Sequence, residues 1–482
     1  MHLTVLGMVL VPLALLWAAQ PVRLLQLALV AAVFEAGAAL VLGGNFGLQP
    51  ALVPGLLFIA YVGLQYALGM RYPGEAPVFW AAAPLIALLL YAVVSIWLLP
   101  SAFAGHVFVE PQRPDPLDPE SVVPLHFTFG NVTQTLYLAL DVTFTVCVAL
   151  FVTRVSIPYE KIIAGYLLGG YIVVGLTFWQ FANHVAGVPF PYEILQSNPG
   201  WAIVDQAIGS VPRMQGPFSE PSSLAGFLTG VNFCCLWLSI RGYNIMRQNI
   251  LFALGIVADL LSTSTTGIIT LFVGLPIIVA LATIGGDPRA IGRMFKTLGT
   301  LLLAGSIAIT PVFVLRPSLL NSISTVVTST LNKGQSDSYN ERTASDATAL
   351  ATVVPTYGLG VGWGSDRSSS FIPGLLANSG IFGLLMIFLL FFRVWVSIRR
   401  GRAAAPGHSG QVLVDGFSAS LCSQLSTALL AAPMISSLVF FLQLGCVIGV
   451  TARMVTEAKQ RRAGKRVPNQ MAVQARPLAV RG

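Results

Sequence analysis

The sequence predicts an all-α protein, a polytopic membrane bundle of about thirteen transmembrane helices forming one integral membrane domain over residues 1–482. Three observations carry that prediction. Hydrophobic residues make up 55% of the chain and charged residues 10%, with a mean hydropathy of +0.77, whereas soluble domains are ~25% charged. Apolar runs of ~17 to 25 residues recur from end to end, each long enough to cross the bilayer as a helix that satisfies its own backbone groups. Lys and Arg gather in short clusters beside those runs, the pattern of a membrane protein with its basic loops inside.

Taken in order, the predicted spans are 3–19, 24–44, 50–70, 78–99, 131–153, 161–180, 222–240, 249–263, 266–284, 297–315, 371–393, 412–431 and 434–452. No basic segment precedes the first, and further spans follow at once, so it is expected to be a retained helix and not a secretion signal. A β-barrel would alternate in ~10-residue segments, which these runs do not. Cys147, Cys234, Cys235, Cys422 and Cys446 all fall inside apolar runs, so no disulfide framework is expected.

Placing the basic C-terminal tail, 453–482, in the cytoplasm fixes every other loop by alternation and puts the N-terminus outside. Of the 27 Lys and Arg, all but six then fall inside: Arg113, Arg213, Arg316, Lys333, Arg342 and Arg367 lie on the outer face. That asymmetry supports the orientation. It also accounts for a net charge of +8 without nucleic acid as a partner.

Three outer segments are too long to be simple connectors. Residues 100–130 are rich in Pro and acid, as an extended surface excursion would be. Residues 181–221 end in Arg-Met-Gln-Gly-Pro-Phe-Ser-Glu-Pro-Ser-Ser, abutting a helix start. Residues 316–370 hold a stretch of helical spacing around Arg342, followed by Tyr-Gly-Leu-Gly-Val-Gly-Trp-Gly.

Within these loops Arg213 and Arg342 stand out, because a cation on the outer face runs against the topology rule. Two guanidinium forks can hold a diphosphate bidentately and stabilise its charge as it leaves. The structural alternative is local ion pairing, of Arg213 with Glu220 or Asp205 and of Arg342 with Glu341 or Asp346. Gly216 belongs to a tight turn, Pro221 suits the first helical turn, and Ser219 is the candidate cap. The free N–H groups there favour an anion, which places Gly216 and Ser222 among its candidate contacts. Glu220 is either a general base for a sugar hydroxyl or a carboxylate that satisfies the helix N-terminus. The alternating glycines after Tyr357 allow positive φ or close approach to a ligand. Trp363 either stacks on a sugar or anchors the loop at the membrane interface. Tyr357, Trp363 and Arg367 complete the candidate binding residues.

Glu35, Asp141 and Asp259 fall inside predicted helices, and intramembrane carboxylates of this kind keep a proton-coupled transporter or flippase in view. Against it, no internal repeat is evident. The five histidines (His2, His106, His126, His184 and His408) are scattered without ligand spacing, so no metal site is expected. No phosphate-binding GxxxxGK[ST] loop is present either, which leaves nucleotide hydrolysis unsupported.

Arg213-x-x-Gly216-x-Phe218-Ser219-Glu220-Pro221-Ser222, the Ser-Thr-Ser-Thr-Thr-Gly turn at 262–267, the loop helix bearing Arg342, and Leu-Leu-Ala-Asn-Ser-Gly-Ile-Phe-Gly at 375–383 occur here in a particular order. In that order and layout, over about residues 130–450, the chain resembles the O-antigen polymerase and ligase superfamily of Wzy-type polysaccharide polymerases. The resemblance implies a GT-C-like membrane glycosyltransferase of the bacterial cytoplasmic membrane, acting on its outer face. It further implies an inverting reaction, independent of metal and of any cofactor, between undecaprenyl-diphosphate-linked oligosaccharides as donor and acceptor, with a chain-length regulator as a further partner. Arg213 and Arg342 would hold the lipid diphosphate. Ligases of this superfamily carry a His-Asn pair where this chain has Ser369 and Ser370, a departure that favours an exopolysaccharide or O-antigen polymerase over a ligase.

Overall fold

A computed structural model describes residues 1–43, 46–112, 122–154, 156–199, 207–208, 211–284, 288–300, 328, 337–431 and 437–463. Its helices are α1 (Val5–Leu16), α2 (Pro21–Ala31), α3 (Leu52–Ala67), α4 (Glu75–Ala102), α5 (Phe129–Phe151), α6 (Tyr159–Ala186), the short α7 (Tyr192–Leu195), α8 (Pro221–Arg241), α9 (Gln248–Leu261), α10 (Thr265–Ile284), α11 (Asp337–Ala351), α12 (Phe371–Ala404), α13 (Gln411–Ala431) and α14 (Leu438–Arg462). Residues 288–300 are also helical. The described strands are two residues long and confined to loops: β1 (His2–Leu3), β2 (Leu40–Val41) and β3 (Gly47–Leu48) form one antiparallel ladder. β4 (Phe108–Val109) pairs with β5 (Val123–Pro124), and β6 (Ala207–Ile208) pairs with β7 (Val211–Pro212).

Among the described residues, six helices are long and apolar enough to cross a membrane: α4, α5, α6, α8, α12 and α14. The chain is thus an all-α protein with the apolar helices of a membrane-embedded one. The expected count of thirteen spans is not reached on this measure. Of the remaining runs, α1, α2, α3 and α9 have 12, 11, 16 and 14 residues, short of the ~20 that a full crossing needs. The run predicted at 24–44 departs most: α2 stops at Ala31, and the chain turns back through β2, so Glu35 lies outside any helix. The span predicted at 297–315 falls, beyond residue 300, outside the described residues.

Packing follows from small residues that admit close contact. On α14, Gly445 and Gly449 face α5 so closely that a Cβ would sit 2.6 Å from the Thr145 carbonyl oxygen and 2.2 Å from that of Ala149. This i, i+4 glycine pair lets two backbones meet where no hydrophobic effect drives helices together in lipid. The result is that α14 is buried around almost its whole girth, Leu438 to Thr451 being buried without a break. α8 is similarly central, packed against α13, α9, α10 and α6.

α14 also runs ten residues beyond the predicted span, so the basic tail does not begin at Arg453. Arg453 is buried, pairing with Glu457 one turn on and donating to the Thr153 carbonyl at 3.1 Å. Residues 464–482 lie outside the described residues.

Charge is sorted along α8. Its 21 residues cover about 30 Å. At the C-terminal end, beside Gly242 in the left-handed conformation, Arg241 and Arg402 both pair with buried Asp415, at 3.3 and 2.6 Å. Arg213, Glu220 and the candidate site lie at the opposite end.

Candidate functional site

The site is built on the N-terminus of α8. Pro221 takes the first helical position as expected, since its fixed φ and missing N–H suit that place. The capping residue is Glu220, in extended conformation with φ −150°; the expectation that Ser219 caps the helix is corrected. Glu220 makes no side-chain capping bond to the helix backbone. Instead the Ser222 hydroxyl donates to its Oε1 at 2.5 Å.

The segment before α8 is held on three sides. Gln180, a buried residue of α6, accepts the backbone N–H groups of Gln215 and Gly216 through one side-chain oxygen, at 3.0 and 2.8 Å. Ala36 N–H donates to the Pro217 carbonyl at 3.1 Å, and Met214 N–H to that of Leu261 at 3.3 Å. Gly216 has φ +56°, the left-handed value that glycine adopts without a Cβ penalty. The expected tight turn is present. Leu261 ends α9, and Ser262, Thr263 and Ser264 form the buried turn into α10, so the hydroxyl-rich hairpin lies against the arginine loop.

Arg213 stands within electrostatic range of both Glu220 and Arg342. Burial pushes the Arg213 guanidinium below its ordinary value, Glu220 pulls it back up, and Arg342 pushes it down again. Two cations close enough to repel one another, with a carboxylate acting on one of them, form a site whose repulsion an incoming polyanion would relieve. The local-pairing alternative therefore holds in part for Arg213, which has Glu220 beside it; Asp205 lies outside the described residues. It does not hold for Arg342. Among the described residues no carboxylate lies within ion-pair distance of Arg342, and Asp346 is committed elsewhere, accepting the N–H groups of Ser369 and Ser370 at 2.8 and 2.9 Å and the Ser370 hydroxyl.

The glycine-rich segment has a structural use that spacing alone did not reveal. Tyr357, Gly358, Gly360, Gly362 and Gly364 all have positive φ, as the alternation allowed. The backbone they form docks on α12 where that helix is broken at Gly380, φ +63° and ψ −162°. An unbroken helix would bond Ile381 N–H to the Ala377 carbonyl. Here Val361 N–H takes the Ala377 carbonyl at 2.7 Å, and Ile381 N–H finds the Gly358 carbonyl at 2.9 Å. The loop inserts itself into the ladder and satisfies both groups, which buried backbone requires. A Cβ at Gly360 would lie 2.7 Å from the Ala377 oxygen, so close approach is to protein.

Trp363 is neither an interface anchor nor exposed for stacking; it is buried, with its backbone N–H donating to Ser95 Oγ at 3.2 Å and its backbone carbonyl accepting from the Asn131 amide at 2.9 Å. Its ring lines an apolar cavity of about 60 Å³ between α4, α5, α12 and α14, together with Asp141. Tyr357 is exposed. Arg367 pairs with Glu110 of the 100–130 segment at 3.5 Å, and its backbone N–H donates to the Glu110 carbonyl. Asp366, buried next to it, holds that segment through Glu110 N–H; burial, and Glu110 beside it, push the Asp366 carboxyl up to about 7, against the pull of that hydrogen bond.

A second cavity, of about 170 Å³, opens beside the first turns of α8. Glu35, Gln49, Ser222, Ser223, Gln424 and Thr427 supply polar lining; Phe34, Phe218 and Phe227 supply apolar walls. Ser222 thus both lines this cavity and bonds Glu220. Glu35 and Gln180 were not assigned to the site by their sequence positions. Their signal was the same, a polar residue in an apolar run, but which polar residue meets which loop is not encoded locally.

No known protein family and no curated protein matches the chain. Among the described residues there is no group of His, Cys, Asp and Glu that could hold a metal ion.

Proposed function

We propose that the protein is a polysaccharide polymerase of exopolysaccharide or O-antigen type, a GT-C-like glycosyltransferase of the bacterial cytoplasmic membrane that joins undecaprenyl-diphosphate-linked oligosaccharides on the outer face. The observation that carries this reading is that Arg213, in the segment leading into α8, lies within electrostatic range of both Arg342 and Glu220, the N-cap of α8. Free N–H groups, a positive dipole end and two guanidinium groups together favour a diphosphate.

In the proposed reaction a hydroxyl of one lipid-linked oligosaccharide attacks the anomeric carbon of another. The bond from that carbon to the diphosphate oxygen breaks, and undecaprenyl diphosphate departs with the electron pair. Arg213 and Arg342 stabilise the charge that grows on the leaving group, where preorganised cations act most strongly. In-line attack inverts the anomeric centre. Gly216 and Ser222 border the diphosphate position, and Arg367, Tyr357 and Trp363 shape the loop that carries Arg342's neighbours. Polymerase is favoured over ligase because Ser369 and Ser370 stand where ligases of the superfamily this chain resembles carry a His-Asn pair.

Deleting the gene tests the proposal. Single lipid-linked repeat units are expected to accumulate while polymer disappears; unchanged polymer would sink it. Loss of a modified lipid A core with polymer retained would instead identify a ligase.

A further inference from the structure

The cavity beside the first turns of α8 has the lining that a sugar ring requires. Three phenylalanines offer apolar faces for ring C–H groups, and Gln49, Gln424, Thr427, Ser222 and Ser223 offer hydrogen bonds for hydroxyls. Glu35 stands among them. Its Oε2 is shielded from solvent and has no hydrogen-bond partner, an arrangement that costs free energy unless a donor arrives. Glu35 is fixed there by its own backbone surroundings: it follows the end of α2, and the next residue, Ala36, is bonded to Pro217 and accepts the Asn198 N–H at 3.0 Å. Glu220, by contrast, is engaged by the Ser222 hydroxyl and faces Arg213.

We infer that this cavity receives the acceptor sugar and that Glu35 takes the proton from its attacking hydroxyl, an inference that rests on the polymerase reading above. The arginines and the cavity then divide the work. Arg213 and Arg342 hold the donor diphosphate, and the cavity presents the acceptor oxygen. As that oxygen bonds to the anomeric carbon, its proton passes to Glu35 Oε2, and the electron pair of the breaking bond leaves with the diphosphate. Glu220 is the charged group acting on Glu35; α13 and the segment before α3 contribute amides and hydroxyls to the lining. Burial first, and the Glu220 carboxylate second, push the Glu35 carboxyl up to about 8, into the range where a general base accepts a proton effectively near neutrality.

The test uses the full chain in liposomes with undecaprenyl-diphosphate-linked oligosaccharide, reading polymer formation from about pH 6 to about pH 9.5 and, separately, thermal stabilisation by undecaprenyl diphosphate. Wild-type activity is expected to rise with pH through about 8, as Glu35 loses its proton. Glu35→Gln is expected to slow transfer roughly 100-fold or more and abolish that rise, while stabilisation by undecaprenyl diphosphate persists. A Glu35→Gln protein with wild-type rate and an unmoved rise overturns the inference and leaves the polymerase reading standing. A wild-type protein that makes no polymer overturns the polymerase reading and the inference with it. If Glu35→Gln fails to fold, Glu35→Asp decides: a slowed reaction with a displaced pH rise supports the role, and an unaltered rate and profile refutes it.

Discussion

Asp346 grips the start of α12 through Ser370, accepting its backbone N–H at 2.9 Å and its hydroxyl as well. Asp346 lies one turn after Arg342 on α11, so the contact that caps α12 also sets where Arg342 stands. Asp346→Ala is expected to lower stability by about 1 to 3 kcal/mol, the cost of leaving N-terminal donors of α12 unmet. It should also reduce polymer formation, because α11 loses its hold on α12. Thermal melting in detergent and a polymer assay check the two effects; a variant with full stability would show that the cap is not needed.

Arg213 and Arg342 differ from lysine in the planar fork, not in charge. Arg213→Lys and Arg342→Lys are each expected to cut transfer roughly tenfold to a hundredfold, the equivalent of one charge-assisted hydrogen bond of about 1.5 to 3 kcal/mol. Arg399→Lys serves as the comparison: it retains a cation beside the Trp395 ring in the C-terminal half of α12 and should keep most activity. Full activity in Arg213→Lys would remove its bidentate role.

Gly380 and Gly358 meet backbone to backbone, and a Cβ at Gly380 would fall 2.1 Å from the Gly358 oxygen. Gly380→Ala is expected to lose more than about 2 kcal/mol, because strain at positive φ adds to that overlap. Gly175→Ala, a helical position with open space around it, should be neutral or mildly stabilising. Comparing the two melting curves separates the docking of the glycine loop from a general effect of removing glycine.

Asp366 is a carboxyl held up to about 7 by burial and by Glu110, outside the membrane-crossing helices. The folded state therefore binds a proton more readily than the unfolded chain, in which an ordinary carboxyl titrates near 4. Stability should be greatest below that value, fall as pH rises from about 4 to about 7, and level off above. Asp366→Asn, which keeps an acceptor for Glu110 N–H, should equal wild type near pH 4 and exceed it near pH 8.5. An identical fall with pH in both proteins would place the proton elsewhere.

Composition and apolar run length were enough to determine the helical membrane class, because lipid leaves a crossing backbone few ways to satisfy itself. The sequence also marked the turn before α8, with Pro221 and Gly216 in their local roles, and the positive-φ alternation after Tyr357. These are short-range stereochemical demands. Run length was a poor guide to α2, where an apolar composition continues past Ala31 but the chain turns; the contacts of Ala36 with Pro217 and Asn198 are made over long sequence distances and leave no local pattern.

The two arginine loops were conspicuous in the sequence as cations on the wrong side, yet their partners were not. Whether Arg342 pairs with Asp346 or stands open depended on what else Asp346 could reach, and Ser370 is 24 residues away. The same holds for Glu35, whose sequence context suggested a carboxylate inside a helix. Charge type and backbone permission are written residue by residue; which charges face each other, and which are left facing a cavity, was decided only when α2, α8, α11 and α12 packed.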